Sequence, residues 1–151
     1  MSEYQVEKQK VAITIFLIDG QTREGVIFLS PFSSFHSGPQ TLHDLMSEEE
    51  PFVPFVGNDG NFLLINKAQI SHLKYQKEED DSKPVLGTPL EVSVTFTNSR
   101  QLEGTVVLEV PDGKSRLLDF MNNNRDFFGL ACDDGDYVVN PNIIIEIAPK
   151  H

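Results

Sequence analysis

Val11-Ala-Ile-Thr-Ile-Phe-Leu-Ile-Asp-Gly-Gln-Thr-Arg-Glu-Gly-Val-Ile-Phe-Leu29 returns in altered form as Leu90-Glu-Val-Ser-Val-Thr-Phe-Thr-Asn-Ser-Arg-Gln-Leu-Glu-Gly-Thr-Val-Val-Leu108. The shared Glu24-Gly25 and Glu103-Gly104 set the offset at 79 (104 − 25). Further along, Leu42-His-Asp-Leu-Met46 returns as Leu117-Leu-Asp-Phe-Met121 at an offset of 75 (119 − 44), which implies a shorter loop in the second copy. Pro51 to Leu63 then matches Asp126 to Val138, and Asn66, Ile70 and Leu73 match Asn140, Ile144 and Ile147. Four blocks in one order imply an internal duplication, a signal that takes precedence over any short motif.

Each copy reads as strands with one short helix. Val11, Ile13, Ile15 and Leu17, like Val92, Val94 and Phe96, fall on alternate positions, the period of a half-buried strand. Asp19-Gly20 and Asn98-Ser99 are turn formers leading into second strands at about 23–29 and 102–110. Gly25 and Gly104 lie inside those strands, where glycine marks a bend or a close backbone approach. Leu42, Leu45 and Met46 are spaced i, i+3, i+4, with Thr41 as N-cap, and Leu117, Phe120 and Met121 repeat the spacing with Ser115 as cap. Strands at 52–56 and 127–131 lead through Asn58-Asp-Gly-Asn61 and Asp133-Asp-Gly-Asp136 into strands at 62–65 and 137–139. Asn66 and Asn140 break the chain before final strands at 69–73 and 143–147.

The expected fold is therefore mainly β, two tandem small barrels of order ββαβββ. Residues 1–75 form the first repeat and 90–151 the second; the acidic, Pro-containing stretch 76–89 has linker composition. Copies of roughly 65 residues sit near the lower size limit for an independent core, so they are expected to pack on one another.

Composition narrows the function. The 151 residues carry 12 Lys and Arg against 23 Asp and Glu, a net charge of −11 that repels nucleic acid and anionic membranes on average. No run approaches ~18 apolar residues, so no transmembrane helix is expected. The N-terminus lacks a basic start followed by an apolar stretch, so no secretory signal is expected. Cys132 is the single cysteine, consistent with a reducing, cytoplasmic setting.

The opening strand, the Asp-Gly turn, the glycine-bent second strand and the late strand pair broken at Asn resemble the Sm-like (LSm) domain, an SH3-like small barrel. The pattern is nearest to uncharacterised bacterial Sm-like domains with a Leu-Ser-Asp-Phe-Leu-Asn helix. Leu118-Asp-Phe-Met-Asn122 also looks like the Asp-x-Met-Asn loop by which Sm proteins hold uridine. The resemblance implies association through strand edges and, as an alternative, RNA or nucleotide binding. Three departures argue against RNA. The first copy reads Leu42-His-Asp-Leu-Met-Ser47 and lacks the Asn. The basic-Gly pair is replaced by Asn66-Lys67-Ala68 and Asn140-Pro141-Asn142. Both strings also fall in a predicted helix.

Other chemistry has a simple competing explanation in each case. Asp133-Asp-Gly-Asp136 offers carboxylates for Ca²⁺ but lacks the Asp-x-Asp-x-Asp-Gly spacing, and a type I′ hairpin turn accounts for Asp-Gly in both copies. His36, His43 and His72, with Asp44, form the alternative of a metal-dependent protein. The second copy has Leu118 and Glu146 where His43 and His72 stand, which favours surface histidines. Cys132 is followed by Asp133 and Asp134, which disfavour a thiolate. Gly25 and Gly104, Asp44 and Asp119, Met46 and Met121 recur, and bend, helix first turn and apolar gap-filling account for them. The expected function is a non-enzymatic protein-interaction or assembly module with no cofactor. Its partner is a protein or a second copy of itself, met at strand edges. Ile143, Ile145 and Ile147 mark the candidate edge: three consecutive isoleucines imply cover on both faces, by the other copy or by a second chain.

Overall fold

The computed structural model describes residues 8–76, 87–108, 117–123 and 126–150. The first repeat runs β1 (Gln9–Leu17), β2 (Thr22–Leu29), α1 (Leu42–Ser47), β3 (Phe52–Gly57), β4 (Phe62–Asn66), a 3₁₀ turn (Lys67–Gln69) and β5 (Ile70–Tyr75). The second runs β6 (Thr88–Phe96), β7 (Gln101–Leu108), α2 (Leu117–Asn123), β8 (Phe128–Cys132), β9 (Gly135–Val139), a 3₁₀ turn (Pro141–Ile143) and β10 (Ile144–Pro149). Both copies have the order ββαβββ. The predicted cap Ser115 and most of the linker lie outside the described residues.

The duplication is visible in the registers. β1 and β2 pair from Gln9↔Leu29 to Phe16↔Thr22, and β6 and β7 from Thr88↔Leu108 to Thr95↔Gln101, all displaced by 79. Ile15↔Leu73 becomes Val94↔Ile147, and even the register slip recurs: Leu17↔Ile70 becomes Phe96↔Ile144. One correction concerns the hairpin β8–β9. Val53 pairs with Ile65, whereas Phe128 pairs with Val139. The second copy loses one residue in the turn itself, so Leu63, Leu64 and Ile65 are the counterparts of Tyr137, Val138 and Val139.

The expectation of two barrels is met only in its coarser form. The ten strands among the described residues are antiparallel and form one open sheet, in the order β10-β6-β7-β8-β9-β5-β1-β2-β3-β4. Neither repeat closes its hydrogen bonding on itself, because β5 pairs with β9 of the other copy. Each five-stranded half still buries its own apolar cluster. Ile13, Ile15, Ile27, Phe55 and Leu73 lie in the first, Val92, Val94, Phe96, Leu108 and Leu130 in the second. Side chains cross between them: Phe127 and Val138 complete the first cluster, and Phe16 packs on the second. Full burial of a Phe contributes about 1.5–3 kcal/mol, so this exchange ties the halves together.

Gly25 is a close approach between backbones. A Cβ there would lie 2.1 Å from the Val56 carbonyl oxygen, and one at Gly104 would lie 2.7 Å from that of Ala131. The turns correct the type I′ expectation, which requires positive φ at two successive residues. Gly20 (φ 92), Gly60 (φ 84) and Ser99 (φ 70) are instead single left-handed residues closing three-residue loops. Leu17 N donates to Gln21 O, Gly57 N to Asn61 O and Phe96 N to Arg100 O, the loop that ends in a glycine bulge. No helix among the described residues is long and apolar enough to cross a membrane.

Candidate functional site

The junction between repeats is built by β5 and β9. His72↔Val139, Leu73↔Val138, Lys74↔Tyr137 and Tyr75↔Asp136 face one another across it. Asn140 latches its end: its backbone N–H donates to Ser71 O (3.0 Å) and its Nδ2 to Ile70 O (2.9 Å), while its Oδ1 accepts from Asn142 N (3.0 Å). His72 is buried within an aromatic stack, 4.3 Å from Phe16 and 4.7 Å from Phe96 between ring centroids. The Arg100 guanidinium covers Phe16 at 5.3 Å and donates to Gly20 O (3.0 Å). Arg100 and Phe96 of the second repeat thus enclose Phe16 and His72 of the first. Burial, with Arg100 nearby, lowers the His72 pKa to about 4, so the ring is neutral and pairs with Ser71 Oγ at 2.8 Å.

The structure does not bring the three histidines together. His36 Nε2 lies 2.6 Å from Asp44 Oδ2, His43 is exposed on α1, and His72 is enclosed at the junction. No group of three metal-ligating side chains occurs among the described residues. Asp44 is buried in a capping box, accepting from Thr41 N (3.0 Å) while Thr41 Oγ1 accepts from Asp44 N (3.0 Å). Burial raises its pKa, but the bonds from Thr41, His36 and Ser33 outweigh that and hold it below the ordinary value. Its counterpart Asp119 is exposed on α2, so the recurrent Asp serves the first helix more than the second. Met46 is buried in the first cluster and Met121 packs on the second. Asn122, which resembled a uridine-loop residue, is exposed on α2. Burial followed by Asp134, Asp133 and Asp136 pushes the Cys132 thiol up to about 11, so it is a poor nucleophile.

The edges are the remaining candidate surface. Among the described residues β10 pairs only with β6 and β4 only with β3. Ile143 is buried, Ile144 and Ile147 are half-buried, and Ile145 is exposed. Among the described residues no strand of the other copy pairs with β10. The strand the other copy covers is β5, the more polar of the two, because pairing with β9 and stacking of His72 outweigh its weaker apolar content. At the far edge Phe62, Leu63 and Leu64 are all exposed, as is Phe52 on β3. Sequence reasoning missed this edge, although Phe62-Leu-Leu-Ile65 is an unbroken apolar run of the kind that signals cover on both faces. No family model, curated protein or solved structure matches this chain, so its function is argued from its own residues.

Proposed function

We propose that the protein is a non-enzymatic interaction and assembly module, a duplicated Sm-like unit that works by adding strands at its two free sheet edges. The observation that carries this reading is the apolar character of unpaired strands. Phe62 and Leu64 on β4 and Ile145 on β10 present large side chains on strands that have one open side among the described residues. Soluble proteins usually blunt such edges with charge, proline or cover, because an open edge templates pairing. Strand addition supplies backbone hydrogen bonds for affinity and side-chain contacts for specificity. The order fifth-first-second-third-fourth within each repeat, with a glycine-bent second strand, supports the Sm-like plan.

The reading is tested by affinity capture from native cells with wild type, Leu64→Lys and Ile145→Lys, followed by mass spectrometry. It predicts at least one protein partner lost from one edge variant and retained by the other. A partner set unchanged in both variants refutes it.

A further inference from the structure

Ser30 to Gln40, between β2 and α1, is a loop closed by its own hydrogen bonds. Ser30 N donates to Gln40 Oε1 (2.9 Å) and Gln40 N donates to Ser30 O (2.9 Å), which joins the two ends. Ser33 N donates to Gly38 O (2.9 Å) across the middle. The Ser30 and Ser33 hydroxyls accept from the backbone N–H groups of Phe32 (3.1 Å) and Phe35 (3.0 Å). One oxygen of the buried Asp44 carboxylate anchors the loop to α1, accepting from Ser33 Oγ at 3.1 Å and lying 2.6 Å from His36 Nε2. A compact loop with joined ends, held by its own residues, is an Ω-loop, a form that frequently carries function.

This bonding holds two aromatic rings outward. Phe32 is 72% and Phe35 56% exposed. Phenylalanine ordinarily goes to the core, and the hydrogen bonds of the loop are made by its serines and backbone, so they ask for no ring at either position. The second copy has Pro111-Asp-Gly-Lys-Ser115 in this connection, without an aromatic, and its Asp119 is exposed. The burial of Asp44 therefore goes with the loop that it anchors.

Charge indicates what meets the rings. Between Arg23 and Lys67 the chain has no Lys or Arg and six acidic residues. Gln40 Nε2 donates to Glu48 Oε1, which brings the run Glu48-Glu-Glu50 to the neck of the loop, and Glu49 and Glu50 are exposed. Lys67, the next cation along the chain, is buried and donates to Glu48 O (2.7 Å). Rings that need apolar cover thus stand beside carboxylates that favour cations. We propose that the loop and the acidic run form a docking surface for a basic amphipathic segment of a partner protein. Its apolar face covers Phe32 and Phe35, and its Lys or Arg side chains meet Glu49 and Glu50. An anionic membrane would be repelled by the same carboxylates. The surface uses side chains and neither open strand, so it is independent of strand addition. His36 is a positioning residue: its contact with Asp44 orders the loop before binding, which lowers the entropy lost on association.

The test is titration calorimetry of the full chain with a synthetic Leu/Lys peptide patterned as an amphipathic helix, against a scrambled peptide of the same composition. The patterned peptide is expected to bind about tenfold more tightly than the scrambled one, because only it gathers an apolar face for the rings. Phe32→Ser and Phe35→Ser should each weaken its binding about tenfold or more. His36→Ala leaves both rings and every carboxylate in place and should weaken it about three- to tenfold. Glu49→Gln with Glu50→Gln should weaken it and flatten its dependence on salt. Leu64→Gln and Ile145→Gln alter the sheet edges without changing charge and should leave it unaltered. All the substituted positions are exposed, so folding is preserved. No binding of the patterned peptide, equal affinity for both peptides, or equal affinity in wild type and the two Phe variants would overturn the proposal. Loss of binding on Leu64→Gln or Ile145→Gln would seat the peptide on a sheet edge and overturn it too. So would binding of zwitterionic lipid vesicles that the same Phe substitutions abolish, because the loop would then be a membrane contact.

Discussion

Lowering the pH from 7 to 4 charges a group that the fold keeps neutral. His72 titrates near 6.5 in an unfolded chain and at about 4 in the junction, where burial and the Arg100 charge oppose protonation. Between these values the unfolded chain binds a proton that the folded chain refuses, so stability rises with pH across this window. It is fully present above about 6.5 and falls as pH drops towards 4. The gap corresponds to about 3 kcal/mol, or roughly 6–12 °C in melting temperature for a chain of this length. Asp44, held below its ordinary value, loses its contribution at still lower pH. The assay is urea unfolding of wild type and His72→Phe at pH 7, 6, 5 and 4. Phenylalanine keeps the stack between Phe16 and Phe96 and removes the titration. The loss of Ser71's partner shifts the variant's stability by a constant amount at every pH. The difference between the two proteins should change by about 3 kcal/mol over the range. Parallel curves, with a constant difference from pH 7 to 4, would refute the neutral, enclosed His72.

The two bend glycines should respond unequally to alanine. Gly25→Ala drives a Cβ to 2.1 Å from the Val56 carbonyl oxygen and should cost about 3 kcal/mol or more; Gly104→Ala meets the Ala131 carbonyl oxygen at the longer 2.7 Å and should cost less, about 2 kcal/mol, both read by thermal denaturation. Ser99 holds φ at 70, so Ser99→Gly should stabilise by about 1 kcal/mol, whereas a lower melting temperature would mean that the turn is not left-handed there. Asn140→Ala should cost about 2–3 kcal/mol, because it strips bonds from the buried junction, and Asn66→Ala should cost about 1 kcal/mol, because only the turn cap is lost.

Duplication, element order and the Thr41 cap could all be read from the chain, because each rests on local spacing. Registers followed from the repeat, down to the slip shared by Leu17 and Phe96. What sequence left open depends on a partner. Ile143 to Ile147 is the more apolar end strand, yet Gln69 to Leu73 is the one covered, because the strand beside it in space decides burial. His72 looked like a ligand candidate since nothing local shows Phe96 and Arg100 arriving from the other repeat. The turns were misjudged because Asp-Gly fits two hairpin geometries, and loop length chooses between them.

The placing of Phe127 and Val138 in the first repeat's core has a consequence during synthesis. When Tyr75 has been made, 63 residues still separate it from Val138 (138 − 75). At about 5–20 residues per second, the first repeat waits roughly 3–12 s on the ribosome with its core incomplete. Throughout that interval β5 is an open acceptor, and β4 of a neighbouring nascent chain carries Phe52 and Leu64 at the matching positions. Polysomes crowd such chains together, so ribosome spacing and translation speed set the competition between correct closure and cross-chain capture.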